Sequence, residues 1–90
     1  MKILKLHVKR EYFEQMRDGT KLEEFRLCTL YWKKRLEKHY DNIVICSGYP
    51  KRDDETRHIM RPWRGSIIKT ITHKHFGSEP VAVYAIQVSI

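Results

Sequence analysis

The sequence predicts a small α+β domain in which five to six strands curl into a β-barrel and two short helices cover it. Ninety residues are enough for one modest hydrophobic core and no second one. Two segments have helical periodicity, whereas the others have the composition and alternation of strands, in the order β-α-β-α-β-β-β-β. Small strand-rich domains protect their edge strands by closing the sheet. We therefore treat residues 1–90 as one domain.

Strands and helices alternate in the first half of the chain. A strand over residues 3–8 alternates apolar and polar side chains, and a helix over residues 10–18 carries an apolar stripe and ends at Gly19. A second strand is predicted over residues 21–28. Thr29 is suited to cap a second helix, in which three apolar side chains recur every four residues: Trp32, Leu36 and Tyr40.

The second half of the chain contains strands separated by turns. A short buried strand is predicted over residues 43–46, a second over 57–60, and a β-branched strand over 65–73. The final strand, over 81–90, alternates and places four side chains on one face: Tyr84, Ile86, Val88 and Ile90.

The composition excludes several classes of protein. No apolar run approaches the roughly 20 residues that span a bilayer, and charges interrupt the apolar N-terminus, so we expect neither membrane association nor a signal peptide. Cys28 and Cys46 lack metal-ligand spacing, which favours reduced thiols in a cytoplasmic protein. His73 and His75 would lie on one side of a strand, but no third ligand is near them. We expect no metal and no cofactor.

The charge points to a polyanionic partner. Eighteen Lys and Arg residues against eleven Asp and Glu give a net charge of +7. An excess of this size in a short chain suits RNA or a nucleotide-like ligand, although charge also keeps ordinary domains soluble.

Residues 19–26, Gly-Thr-Lys-Leu-Glu-Glu-Phe-Arg, place opposite charges at fixed offsets after a helix-ending glycine. Glu24 and Arg26 are two apart on the predicted strand and therefore share a face. Lys21 has the opposite parity. It reaches Glu24 only if the strand begins after Lys21 or contains a bulge.

Gly19, Lys21, Glu24 and Arg26 occupy all four fixed positions of the Gly-x-Lys-x-x-Glu-x-Arg signature, so the chain resembles the ASCH domain family. The resemblance implies a PUA-like β-barrel with a cleft, lined by the motif residues, for RNA or a nucleotide-like ligand. Some members resemble ribonucleases that act on single-stranded RNA, and others are RNA-binding modules. A further branch hydrolyses N4-acetylcytidine. That branch has a threonine nucleophile at the position of Glu24, which counts against its chemistry here.

Three motif residues are the candidate catalytic groups. Lys21 would hold a phosphate or an acyl oxygen, or act as a general base if desolvated. Glu24 would be a base or an orienting group, and Arg26 an anchor. The structural alternatives are a solvated lysine and a surface ion pair worth about 0–1 kcal/mol.

Five residues are candidates for nucleic-acid contact because they combine guanidinium groups with aromatic planes: Tyr49, Arg57, Arg61, Trp63 and Arg64. For Trp63, a place in the core is favoured over base stacking. His7 and His58 are acid–base candidates only if they lie close to Lys21.

The resulting hypothesis is single-stranded RNA recognition by a monomer, with weak ribonuclease activity as an extension. Hydrolysis of a modified nucleoside is the second hypothesis. The third is a module that binds an acidic protein partner through its basic face.

Overall fold

The computed structural model describes residues 1–89, which form an α+β domain with six strands and two helices. The strands are β1 (Ile3–Val8), β2 (Glu23–Leu27), β3 (Asn42–Ser47), β4 (His58–Pro62), β5 (Ser66–Ile71) and β6 (Val81–Gln87). The helices are α1 (Arg10–Asp18) and α2 (Leu30–Leu36). Two single turns of 3₁₀ helix, Glu55–Arg57 and Lys74–Phe76, precede β4 and β6. The predicted class and the order of the main elements are confirmed.

The strands form two sheets. In the first sheet the order is β1-β3-β4, with β1 parallel and β4 antiparallel to the central β3. In the second sheet the order is β2-β6-β5, and all pairs are antiparallel. No ladder of hydrogen bonds joins the two sheets in residues 1–89, so the closed barrel stays a prediction.

Both sheets and α1 contribute to one hydrophobic core. Apolar residues at alternate positions of β1 and β3 face inward, as the two-residue period of a strand requires. Phe13 and Met16 of α1 pack against them. The fully assembled core consists of Leu4, Leu6, Val8, Phe13, Met16, Ile43, Ile45, Ile86 and Val88. Trp32, Leu36 and Tyr40 pack on its side.

Arg61 bridges the first sheet to the remainder of the domain. Its guanidinium is buried and donates hydrogen bonds to the carbonyl of Val88 at 2.8 Å and to that of Met16 at 2.9 Å. A charged group that is removed from water is stable only when its donors are satisfied, and these carbonyls satisfy two of them. This placement argues against the predicted role of Arg61 in nucleic-acid binding, because that role would require both bonds to break.

Several predicted boundaries are corrected by the structure. The strand predicted over 65–73 ends at Ile71, and the one predicted over 21–28 begins only at Glu23. The second helix ends at Leu36, so Tyr40 lies beyond it. The Tyr40 hydroxyl donates to the carbonyl of Arg35 at 2.6 Å, which satisfies one of the carbonyls that a helix end leaves free.

The last strand ends at Gln87 and is buried on both faces. Val83 and Ala85 are as buried as Ile86, although they point the opposite way. The predicted assignment of Ile90 to this strand lies outside the described residues. Sequence alternation revealed one buried face, whereas the structure buries residues on both faces of β6 and leaves Ala82 exposed.

No helix in residues 1–89 has the length and apolar character that crossing a membrane requires.

Cys28 is exposed and Cys46 is buried, and this burial raises the pKa of the Cys46 thiol.

Replacing Arg61 by methionine tests the bridge, because methionine keeps much of the aliphatic volume and removes the donors. We expect Arg61→Met to lower the free energy of unfolding by about 2–4 kcal/mol, since two buried carbonyls lose charged donors. Urea denaturation followed by circular dichroism measures the change. Arg64→Met, at an exposed position, is the matched control and should stay within about 0.5 kcal/mol of wild type. Equal effects of the two substitutions would contradict the assignment.

Candidate functional site

The turn after α1 determines where Lys21 lies. Gly19 adopts a left-handed conformation, with φ of 84°, which ends the helix. The amides of Thr20 and Lys21 both donate to the carbonyl of Gln15, at 2.9 and 3.1 Å. Lys21 therefore belongs to the helix cap, and β2 begins two residues later at Glu23. Because the strand begins after Lys21, strand parity does not separate Lys21 from Glu24.

The three motif charges converge on the Glu24 carboxylate. Arg26 Nη2 lies 3.0 Å from Glu24 Oε2, and Lys21 Nζ lies 3.8 Å from Glu24 Oε1. The side chains of Lys21, Glu24 and Arg26 are 14%, 9% and 24% exposed, so water screens these contacts much less than it screens surface pairs. Arg26 Nη2 also donates to the main-chain carbonyl of His7 at 2.9 Å, which joins β2 to β1.

The ammonium of Lys21 lies between two aromatic rings. Its Nζ is 5.1 Å from the centroid of the Tyr12 ring and 4.9 Å from that of the Phe25 ring, within range of a cation–π interaction with each. The His73 ring is 6.5 Å from Tyr12 and 6.3 Å from Phe25. Phe76, 6.0 Å from His73, extends the same aromatic group.

These residues line one cavity of about 140 Å³ between the end of β1, α1, the edge strand β2 and the turn before β6. Its walls are formed by His7, Val8, Lys9, Tyr12, Lys21, Glu24, Phe25, Arg26, His73, His75 and Phe76. An engineered cavity of about 150 Å³ holds a benzene molecule, so a volume of this size admits a single aromatic ring. Aromatic walls with a few convergent polar groups are typical of ligand sites.

The structure shows the hydrogen-bonding state of two nitrogen atoms at the site, Nδ1 of His73 and Nε of Arg26. Nδ1 of His73 accepts a hydrogen bond from the main-chain amide of His75 at 3.1 Å, so the neutral ring carries its proton on Nε2. Nε of Arg26 is buried and has no hydrogen-bond partner within residues 1–89. A buried unpaired donor costs free energy, so the contacts of Arg26 Nη2 with Glu24 and with the His7 carbonyl must hold the side chain in place.

His73 and His75, predicted on a strand, instead belong to a 3₁₀ turn after β5 has ended. His73 caps the turn Lys74–Phe76, and His75 lies within it. They are cavity-wall residues. Within the part of the chain that the structure describes, no group of three or more His, Cys, Asp or Glu side chains could hold a metal ion.

The predicted nucleic-acid residues occupy different regions. Tyr49 follows β3, and Arg57 is beside it because its Nη2 donates to the carbonyl of Ser47 at 2.6 Å. Trp63 and Arg64 follow the opposite end of β4. Trp63 is half-buried and packs on the core, with its ring 5.3 Å from that of Tyr40. These residues therefore lie at the two ends of β4, and Arg61 between them is buried.

The two acid–base candidates are also placed differently. His7 borders the cavity that contains Lys21, and its Nδ1 donates to the carbonyl of Gly48 at 2.8 Å. His58 is not part of the cavity wall, and its Nδ1 donates to the carbonyl of Asp54 at 2.7 Å. Only His7 meets the condition of lying near Lys21.

The cavity residues that the sequence analysis did not assign to this site include Tyr12, Phe25, His73 and Phe76. Tyr12 belonged to the apolar stripe of α1, of which Phe13 and Met16 do face the core. Phe25 occupies a variable position of the motif, and its aromatic character was the available signal. His73 and Phe76 are distant in sequence, so only folding shows that they meet Lys21.

No protein-family model, no curated protein and no solved structure matches this chain.

Two neighbouring carboxylates give a matched test of the ion cluster. Glu24→Gln leaves Lys21 and Arg26 adjacent and sheltered without a counter-charge, so we expect the free energy of unfolding to fall by about 2–3 kcal/mol. Glu23→Gln, which alters a more exposed pair with Lys69, should cost less than about 1 kcal/mol. Urea denaturation at neutral pH measures both values. If Glu23→Gln lowers the free energy of unfolding more than Glu24→Gln does, the sheltered ion cluster around Glu24 is contradicted.

Glu23 also predicts a pH dependence. Hydrogen bonds from Lys69 and then Gln87, at 2.8 and 2.9 Å, lower the pKa of Glu23 from its ordinary value of 4.5. A lowered folded-state pKa stabilises the fold above the unfolded pKa, and the gain is lost as pH falls through the folded pKa. The stability difference between wild type and Glu23→Gln should therefore be constant above about pH 5 and shrink below it. Urea denaturation between neutral pH and pH 3 checks this; a difference that grows on acidification would contradict it.

Proposed function

We propose that this chain is an ASCH-like domain that binds single-stranded RNA and accepts one nucleobase in the Lys21 cavity. The observation that carries the proposal is the convergence of Lys21, Glu24 and Arg26 on one cavity with aromatic walls. The resemblance of residues 19–26 to the ASCH signature concerns these same three side chains. The net charge of +7 provides the general attraction to a polyanion.

We further propose that the two sheets correspond to a PUA-like barrel. At the two places where the sheets meet without pairing their strands, which we call seams, side chains bridge the gap. Arg26 connects β2 to β1 through the His7 carbonyl, and Arg61 connects β4 to the Val88 carbonyl just after β6. Each bond crosses between the two sheets. The shared core, to which both sheets contribute, also supports this arrangement.

The cavity has the groups that recognise a base. Its walls include the aromatic rings of Tyr12, Phe25, His73 and Phe76, against which a base can pack. Lys21 can donate to a ring carbonyl, and Glu24 can accept from an exocyclic amine. The cluster of Lys21, Glu24 and Arg26 carries one net positive charge, and Lys9 on the wall adds a second, which favours an adjacent phosphate.

Glu24 fits an orienting role better than that of a catalytic base. Each of its oxygens faces a cation, and Oε1 is also 3.3 Å from the Phe25 amide. Both oxygens are thus already engaged by fixed partners, an arrangement that suits a group holding Lys21 and Arg26 in position. The proposal is therefore centred on RNA binding, with ribonuclease activity as its extension.

A second candidate, hydrolysis of an N4-acylated cytidine, is favoured by the size of the cavity. A volume of about 140 Å³ suits one nucleobase better than a long polymer segment. Lys21 would stabilise the acyl oxygen while it becomes an oxyanion during attack by water. Glu24 provides no hydroxyl nucleophile, so this route differs from that of the threonine-containing branch.

Binding to a labelled single-stranded oligoribonucleotide tests the proposal. We expect Lys21→Met to weaken binding by about tenfold. The substitution also removes the net positive charge of the cluster beside the adjacent phosphate, so the slope of log affinity against log salt should fall by about 0.7, the value for one phosphate that is no longer neutralised. Methionine packs well against aromatic rings, so the variant should fold. Fluorescence anisotropy at several salt concentrations gives both quantities.

Glu23→Gln is the matched control, because Glu23 adjoins the motif carboxylate but contacts Lys69 and Gln87 outside the cavity. Unchanged affinity and salt slope in Lys21→Met would refute RNA binding at this site. For the second candidate, N4-acetylcytidine is incubated with each protein. Turnover by wild type that Lys21→Met abolishes would establish it, and no turnover by wild type would remove it.

A further inference from the structure

The ring of Tyr49 is exposed and yet held in one orientation. Its side chain is 84% exposed, and one ring face stacks on His7 with centroids 4.2 Å apart and planes 17° apart. The turn beneath it is fixed by two main-chain contacts. Gly48, with φ of 65°, donates from its amide to the carbonyl of Val8 at 2.8 Å and accepts from His7 Nδ1 at 2.8 Å. The second face of the Tyr49 ring is therefore available to a ligand without further ordering.

A basic groove lies next to this turn. It has a volume of about 640 Å³ and is bounded by the start of α1, the end of β3 and the turn before β4. Its wall includes the cations Lys9, Arg10, Arg17 and Arg57. Glu14 is the acidic residue in the wall, and it is already paired with Arg17. The groove therefore has a net positive charge, which suits the phosphates of a nucleic acid.

The groove connects the cavity to Tyr49. Val8 and Lys9 belong to the walls of both the cavity and the groove. The groove is also lined by Ser47 and Gly48, the residues immediately before Tyr49. Both lie beside Val8, which pairs with Ser47 and whose carbonyl accepts from the Gly48 amide. An RNA strand with one base in the cavity can thus place its phosphates along the groove and reach the Tyr49 ring with another base.

We propose that Tyr49, supported by His7, is a second base-stacking subsite for single-stranded RNA, joined to the Lys21 cavity by the basic groove. This inference rests on the proposed RNA-binding function and adds the direction in which the strand leaves the cavity. In this arrangement the RNA strand runs along the Arg10 side of the molecule and away from Arg64. Stacking on an exposed aromatic ring accepts any base, so this subsite contributes affinity rather than sequence specificity.

The charges around Tyr49 favour a nucleic acid over a protein partner. On the outer face of the first sheet, a second groove that includes His7 is lined by Lys5 and Arg52 and by no carboxylate within the described chain. Cations thus occur on both sides of the stacked rings. A planar ring flanked by cations is the arrangement that single-stranded nucleic acids use, with bases on the ring and phosphates on the cations.

Two RNA ligands separate this inference from the proposed function. Uridine monophosphate is short enough to need only the cavity, whereas an oligoribonucleotide of about ten nucleotides can reach both subsites. We expect Tyr49→Ala to weaken binding of the oligonucleotide by about 5- to 150-fold, the range for one lost stacking contact, and to leave the mononucleotide unaffected. Tyr49→Phe keeps the ring and should bind like wild type. Lys21→Met should weaken both ligands.

Two charge variants test the path of the strand. Arg10→Gln should reduce the salt slope for the oligonucleotide by about 0.7, whereas Arg64→Gln, with the same change of charge, should leave the slope unchanged. If Tyr49→Ala stays within about twofold of wild type while Lys21→Met still weakens binding, the second subsite is overturned and the proposed function survives. If Arg64→Gln alone changes the slope, the proposed path is wrong. If wild-type protein binds neither ligand, both proposals fail.

Discussion

Arg26 and Arg61 each extend a guanidinium between the two sheets, where no ladder of hydrogen bonds joins the strands of residues 1–89. A gap between sheets leaves main-chain carbonyls that need donors, and these long side chains supply them. At the Arg61 seam the gap is filled and buried. At the Arg26 seam it stays partly open between β1 and β2, and the candidate cavity lies there. The same absence of strand pairing that requires an arginine thus provides space for a ligand.

The polar part of the site depends on the sheltered position of its charges. Glu24 contacts Lys21 and Arg26 where little water screens them, whereas the adjacent Glu23 contacts Lys69 and Gln87 on the other face of β2. Neighbouring carboxylates on one strand therefore have separate tasks, since strand geometry sends them to opposite sides. Aromatic rings beside Lys21 shelter its ammonium from water and lie within range of cation–π interactions with it.

Net charge alone was a poor guide to where a polyanion would bind. Arg61 counts toward the total of +7, but its guanidinium is buried and binds two main-chain carbonyls. Trp63, two residues later, packs on the core. The cations that line a continuous surface instead come from separate segments, with Arg10 and Arg17 on α1 and Arg57 before β4. These cations are grouped beside the turn that contains Tyr49, so the positive charge of the groove is concentrated on that side of the domain.

The sequence by itself determined the elements, because periodicity, the αL glycine after α1 and the Thr29 cap are local properties. It also identified Lys21, Glu24 and Arg26 as a group, since they lie within six residues. It did not determine that β2 begins after Lys21, which depends on two amides donating to Gln15. Only the tertiary structure brought His73 and Phe76 to the cavity and buried Arg61, because these contacts join segments 27 or more residues apart, and local sequence carries no information on such distances.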